Sequence, residues 1–246
     1  MNRTKLSVNV NKLATLRNSR GKNNPDVLAM ALKIIEYGAE GITVHPRPDE
    51  RHVRRTDVYQ LAKAVKTVEF NIEGYPSEDF IQLIQEVKPA QATLVPDPPE
   101  VLTSNAGWNL KEQKDFLKKV IPELQKSGAR VSLFLEPVDD NEQTIALLKE
   151  VGADRIELYT EAYADAYLTP ERDSVTARYQ RLAFKAHEAG IGVNAGHDLN
   201  LENLMFLVKQ IPVIAEVSIG HALVCDALDM GMKTTIAKYL QCLARG

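Results

Sequence analysis

Cysteine is scarce in this 246-residue chain, with Cys225 and Cys242 as its two examples, both in the last helical stretch. Neither has metal-ligand spacing, so nothing points to a zinc site or a disulfide framework, and buried free thiols in a reducing compartment are expected. No apolar run approaches the length of a membrane span, and the opening MNRTKLSVNV has no apolar core of a secretory signal. Positive charge is not in excess: 30 Lys and Arg stand against 33 Asp and Glu, a net charge of −3 that argues against general nucleic-acid binding. No linker or low-complexity segment divides the chain. The expectation is a cytoplasmic enzyme of one domain, residues 1–246, with neither nucleic acid nor membrane as partner. That length can bury a large core without staples.

What the chain does contain is an alternation of short β-rich runs and longer stretches of helical period. The runs begin at Lys5 (KLSVNV), Gly41 (GITVH), Glu69 (EFNIE), Gln91 (QATLVP), Arg130 (RVSLFLE), Arg155 (RIELYT), Gly190 (GIGVNA) and Glu216 (EVSIG). Most read as near-continuous apolar runs, the pattern of strands covered on both faces. Helices are predicted after Asn24-Pro25 and near Thr56, Ser77, Asn109, Asn141, Arg172, Asn200 and His221. The first ends at Gly38, which suits a left-handed C′ position. YGAEGITV, SGARVSL, VGADRIEL and AGIGVNA repeat one theme, a helix end passing through glycine into a strand. Strand then helix, eight times, predicts an α/β fold, a (β/α)8 TIM barrel with a few extra helices, one of them in the sixth loop. An open doubly wound sheet is the alternative.

Four of the five histidines sit at or just beyond strand ends: His45 and His52 in ITVHPRPDERHV, His197 in GVNAGHDL and His221 in VSIGHAL. Imidazole titrates near pH ~6.5, so it is the usual proton shuttle near neutrality. In a barrel those ends converge on one mouth, together with Asn9, Glu73, Thr103, Glu136, Glu157, Asn194 and Gly220. Core packing does not call for so many polar groups. Glu73 is the sharpest case, since partial burial would raise its pKa and let it serve as base or acid. Its bland alternative is an ion pair with a nearby arginine.

NAGH and SIGH each read as a strand entering a glycine and then a helix, a place for a phosphate at backbone N–H groups. Two basic segments, ATLRNSRGKNNP and HPRPDERHVRR, read as loops and offer Arg17, Arg20, Lys22, Arg47, Arg51, Arg54 and Arg55. Arg20 and Arg47 are the candidates for an anion, where a guanidinium fork suits the geometry. The others are expected to face solvent or pair with Asp49, Glu50 and Asp57. His187 reads as surface and Trp108 as a packing anchor or subunit contact.

VNVNKLATLRNSRG, GITVHPRPDERHV, FNIEG, LVPD, VNAGHDL and SIGHAL, in that order and over nearly the whole chain, resemble the pyridoxine 5′-phosphate synthase family. The resemblance implies a barrel enzyme joining 1-deoxy-D-xylulose 5-phosphate to 3-amino-2-oxopropyl phosphate, giving pyridoxine 5′-phosphate, phosphate and water. It implies no cofactor and no metal, and a homo-octamer assembled as a tetramer of dimers. It places catalysis on His45, Glu73 and His197. Asn9, Arg20, Gly220 and His221 match positions that hold the amino ketone phosphate; Arg47, His52 and Thr103 match those that hold the sugar phosphate. Departures fall at Asn11-Lys12, where an aspartate-histidine pair is commoner, at Asp198, where glycine is commoner, and in ELYTEAYA of the sixth strand. They bear on the sugar-phosphate contacts near Asn11 and Lys12 and on a backbone contact at Asp198.

Three competing readings remain open on the residues. One is a metal-dependent sugar-phosphate epimerase or isomerase, with His45, Glu73, Glu157 and His197 as ligands. Another is a Schiff-base aldolase using Lys12. The third is a barrel that only binds a ligand. The fourth loop, PDPPEVLTSNAGW, is expected to close over substrate as a lid.

Overall fold

Alternation is what the strands carry. In this computed structural model, which describes residues 3–96, 106–138 and 140–244, the strands are β1 (Lys5–Asn9), β2 (Gly41–Val44), β3 (Glu69–Gly74), β4 (Gln91–Leu94), β5 (Arg130–Leu135), β6 (Arg155–Tyr159), β7 (Gly192–Gly196) and β8 (Ile214–Ile219). All pair in parallel with their sequence neighbours, and β8 returns to β1 to close the barrel. One face of each strand is apolar: Leu6, Val8, Ile42, Val44, Ile72, Leu94, Val131, Leu133, Ile156, Leu158 and Val217 join the continuous buried core against the helices. The other face is largely polar and turns inward. Ser7 bonds Thr43 at 2.8 Å, Thr93 Oγ1 donates to Asn71 at 3.0 Å, and Arg155 reaches Asn194 at 2.8 Å.

This corrects the expectation of near-continuous apolar runs. Side chains alternate with period two along a strand, and closing the barrel buries both faces. Polar residues can occupy the inner face because neighbouring strands supply their partners. At the floor, Glu69 pairs with Lys5 at 3.2 Å and with Arg130.

The helices are α1 (Asn11–Asn18), α2 (Val27–Glu36), α3 (Arg55–Ala64), α4 (Glu78–Val87), α5 (Leu110–Gln125), α6 (Asn141–Val151), α7 (Glu161–Ala166), α8 (Arg172–Glu188), α9 (Leu204–Gln210), α10 (His221–Met230) and α11 (Met232–Ala244). Several start where a short polar side chain takes an orphan amide: Asp26 accepts from Ala29 N, Ser77 from Phe80 N, Asp140 from Gln143 N. Gly38 follows the end of α2 with φ 111°. The extra helix expected in the sixth loop is α7.

Four local expectations need correction. The segment from Asn11 to Asn18, read as loop, is α1. It is stitched down by Arg17, which is 1% exposed and bonds Asp57 at 2.6 Å. Only the second Gly-His turn enters a helix directly. After His197, Asn200 Oδ1 accepts from the amides of Glu202 and Asn203, and this side-chain turn delays α9 to Leu204. Cys225 is exposed and Cys242 half-buried, so neither thiol sits in a disulfide and neither is fully buried. Glu136 lies one residue past β5 and accepts from Gly107 N at 3.3 Å, outside the lining of the mouth cavity. His187 is exposed, as expected. Trp108 is 5% exposed, stacks against Tyr75 and donates Nε1–H to Leu94 O at 2.8 Å.

Candidate active site

The inner face reaches the C-terminal mouth with one more residue per strand, and these residues bound a cavity of about 360 Å3. Asn9, His45, Glu73, Glu157 and His197 line it, with Asn11 and Lys12 from the start of α1, Arg47 and His52 from the loop after β2, and His221 from α10. The opposite wall is apolar: Val95, Phe134 and Tyr159 form a small buried cluster inside the barrel, and the first two face the cavity.

Asn9 and Asn11 build the base of the β1–β2 side. Asn9 Oδ1 accepts from Asn11 N at 3.0 Å while its Nδ2 reaches Glu73 Oε2 at 3.4 Å; Asn11 Oδ1 accepts from His45 N at 3.0 Å. His45 Nδ1 lies 4.0 Å from Glu73 Oε2. Burial, helped by the Arg47, His52 and Arg51 charges, pushes His45 down to about 3. His52 is lowered to about 4 by burial and by Arg47, Lys12 and Arg51. Its Nδ1 accepts from Val53 N at 2.9 Å, so the proton of the neutral ring sits on Nε2.

His197 has the opposite surroundings. Its Nδ1 lies 2.6 Å from Asp198 Oδ2, and Tyr159 packs against the ring with centroids 4.8 Å apart. Burial opposes the charged ring, but Asp198, Glu161 and Glu73 outweigh it and raise its pKa. Glu73 stands between the two histidines. Burial raises it to about 7, against the pull of His197 and Ser218, with Glu216 adding to the rise. Glu157, 3% exposed, is held well above the carboxylate range by burial and by Glu73 and Glu216. The mouth therefore presents a neutral imidazole, a carboxyl titrating near neutrality and an imidazole inclined to keep its proton.

The remaining expected site residues divide. Gly220 caps α10 without any side-chain cap, and a Cβ there would lie 3.1 Å from Asn9 Cβ. Arg47 is buried and lines the cavity. Arg20 is exposed on the turn after α1, outside the lining. Asp198 touches the cavity only through His197. Asn194 lies one layer below the mouth, against Arg155. Thr103 and most of the proposed lid lie outside the described residues. Thr15, Thr93, Val95, Phe134 and Ser218 also line the cavity without having been singled out. Thr93 follows Gln91 by two and Phe134 follows Ser132 by two, each on the inner face, so the alternation would have found them. Among the described residues, no three His, Cys, Asp or Glu side chains are disposed to hold a metal ion, so His45, Glu73, Glu157 and His197 do not form the cage of the epimerase reading. Among the same residues no helix is long and apolar enough to cross a membrane.

Residues 6–245 match the family described as pyridoxal phosphate biosynthesis protein PdxJ. The chain is 54% identical over 243 residues to pyridoxine 5′-phosphate synthase of Porphyromonas gingivalis, covering 98% of this chain and 99% of the relative. It is 54% identical over 240 residues to the enzyme of the same name from Parabacteroides distasonis, with the same coverage. Among solved structures, 3-keto-L-gulonate-6-phosphate decarboxylase from Vibrio cholerae superposes with a TM-score of 0.66 over 99% of both chains at 9% identity, a likeness of fold alone.

Proposed function

Since the chain belongs to the PdxJ family of pyridoxal phosphate biosynthesis, we propose that its barrel mouth carries out the pyridoxine 5′-phosphate synthase reaction with His45, Glu73 and His197 sharing the proton transfers. The substrates are 1-deoxy-D-xylulose 5-phosphate and 3-amino-2-oxopropyl phosphate, and the products are pyridoxine 5′-phosphate, inorganic phosphate and water. The observation that carries this reading is the contrast between the two histidines on one cavity, His45 among cations and His197 among carboxylates, with Glu73 between them. Imine formation, dehydration, phosphate loss and ring closure each move protons, and a base, an acid and a carboxyl near 7 can pass them on. His45 accepts, His197 donates, and Glu73 does either.

The basic side, with Arg47, His52, Asn11 and Lys12, takes the sugar phosphate, joined by Thr103 of the fourth loop. Asn9 and the uncapped start of α10 at Gly220 and His221 take the amino ketone phosphate, where backbone amides suit an anion. Arg20 reaches the same phosphate from the exposed turn. Val95 and Phe134 give the forming ring an apolar wall. Lys12 is a phosphate contact here and forms no Schiff base. The assembly proposed is a homo-octamer in the cytoplasm, and exposed apolar side chains such as Leu168 and Leu228 are the kind that subunit contacts cover.

The test is product formation from the two named substrates by purified protein, with Glu73→Gln beside it. Wild type should turn over, and Glu73→Gln, keeping shape but not proton affinity, should lose about 10²–10⁴-fold in kcat with its melting curve retained. A fully active Glu73→Gln removes that carboxyl from the chemistry, and a wild type inert toward both substrates removes the reaction.

A further inference from the structure

His197 and Asp198 are consecutive non-glycine residues in the left-handed region, with φ of 82° and 53°. Such backbone costs energy and persists only where the surroundings hold it. Here they do. The single Thr160 Oγ1–H is shared between Gly196 O at 2.7 Å and His197 O; Asn203 Nδ2 donates to Asp198 O at 3.1 Å, and Tyr163 OH fixes Asn203 through its carbonyl at 2.6 Å. The turn brings Asp198 Oδ2 to 2.6 Å from His197 Nδ1, so Nδ1 is engaged and Nε2 is the nitrogen left for the cavity. His45, by contrast, has its nearest carboxylate at 4.0 Å.

We propose that Asp198 is a positioning residue: its carboxylate locks the His197 ring with Nδ1–H turned outward and Nε2–H toward the substrate, and retains the second proton there until substrate takes it. This rests on the acid role proposed for His197. Asp198 touches no reacting atom and works only through that ring. The other groups facing the ring are Tyr159 on β6, Glu161 on α7 and Glu73 on β3, while His221 on α10 acts on Asp198. Glu161 and Glu73 also favour the charged ring, so removing Asp198 should weaken its hold on the proton without abolishing it. An Asp–His pair at a strained turn gives the strain a purpose, since an unstrained turn would carry the carboxylate elsewhere.

The experiment is a histidine-selective NMR titration of the full chain, followed by kcat against pH, for wild type, Asp198→Asn, Asp198→Gly and Asp198→Glu. Asparagine and glycine both tolerate left-handed backbone, so both variants keep the turn; asparagine loses only the charge, and glycine loses the charge and the hydrogen bond to His197. The expected result is a His197 midpoint lower by about one pH unit in both, a tenfold change in the protonated-to-neutral ratio at a given pH, with Asp198→Glu recovering part of it. An unchanged midpoint in Asp198→Asn and Asp198→Gly overturns the proposal. A lowered midpoint supports it; if the alkaline limb of kcat then stays in place, it is the acid role of His197 that fails.

Discussion

At the scale of single residues, the site works by giving one side-chain type two opposite environments. His45 and His197 have the same intrinsic pKa, and their neighbours separate them: Arg47, Arg51 and His52 around one, Asp198, Glu161 and Glu73 around the other. β2 and β7 are not adjacent in the barrel, so the two rings approach a bound molecule from different sides. His45→Asn and His197→Asn should therefore stall single turnovers at different intermediates, seen by rapid quench and mass analysis. Identical intermediates with identical rate losses would sink the division of labour. The histidine motifs, Glu73 and the basic segment after β2 are legible in the chain. Their protonation is not, because burial and neighbour charge come from residues remote in the chain, as Glu73 is from both His45 and His197.

At the scale of elements, β6, β7 and the turn after β7 form one unit. Thr160 at the end of β6 pins the β7 turn, and Glu157 of β6 lies directly beside Gly196. A Cβ on Gly196 would come within 2.3 Å of Glu157 Oε1 and 3.3 Å of Ser218 O. Gly196→Ala should therefore displace the buried Glu157 carboxyl, cost about 1–3 kcal/mol in urea unfolding, and lower kcat more than it raises KM. Wild-type stability and kcat in that variant would show that the close approach is not needed. The glycine was readable in NAGH as a place of close approach, although the expected neighbour was a ligand. The structure puts a carboxyl from the adjoining strand there. Likewise α1 looked like loop because Gly21 and Pro25 punctuate the basic segment, and its hold on the barrel is the buried Arg17–Asp57 pair, which no periodicity reveals.

At the scale of the whole molecule, the polar barrel interior makes stability depend on pH through opposing groups. Glu216, 3% exposed among Glu69, Arg155, Arg130 and Lys5, is raised from 4.5 to about 7, chiefly by burial. Glu73 is raised to about 7 as well. A carboxyl raised on folding contributes stability that is complete below its unfolded pKa and lost as pH rises through the folded value. His45 and His52, lowered from 6.5 to about 3 and about 4, contribute stability that is complete above 6.5 and lost as pH falls through the lowered values. Between about pH 4.5 and 6.5 the two sets offset each other, giving a plateau that falls away on both sides. Glu216→Gln, one layer below the mouth, should reduce the fall between about pH 4.5 and 7 by about 1–3 kcal/mol, read from urea midpoints across that range. Parallel curves for variant and wild type would count against a titrating Glu216.

The sequence by itself determined the strand–helix repeat, the barrel it implies, and the order in which Asn9, His45, Glu73, His197 and His221 arrive at strand ends, because these depend on periodicity and local turn chemistry. Only the tertiary structure decided that the inner face of the barrel is polar. A polar position alternating with an apolar one reads the same whether it faces solvent or a closed interior, and closure is a property of all eight strands together. It also decided that Arg20 stands outside the cavity while Thr93 and Phe134 line it, that Glu157 is buried beside Gly196, and that Asp198 meets His197. Each of these follows from distances set by packing between segments remote in the chain, and distance and burial fix the charge a side chain carries.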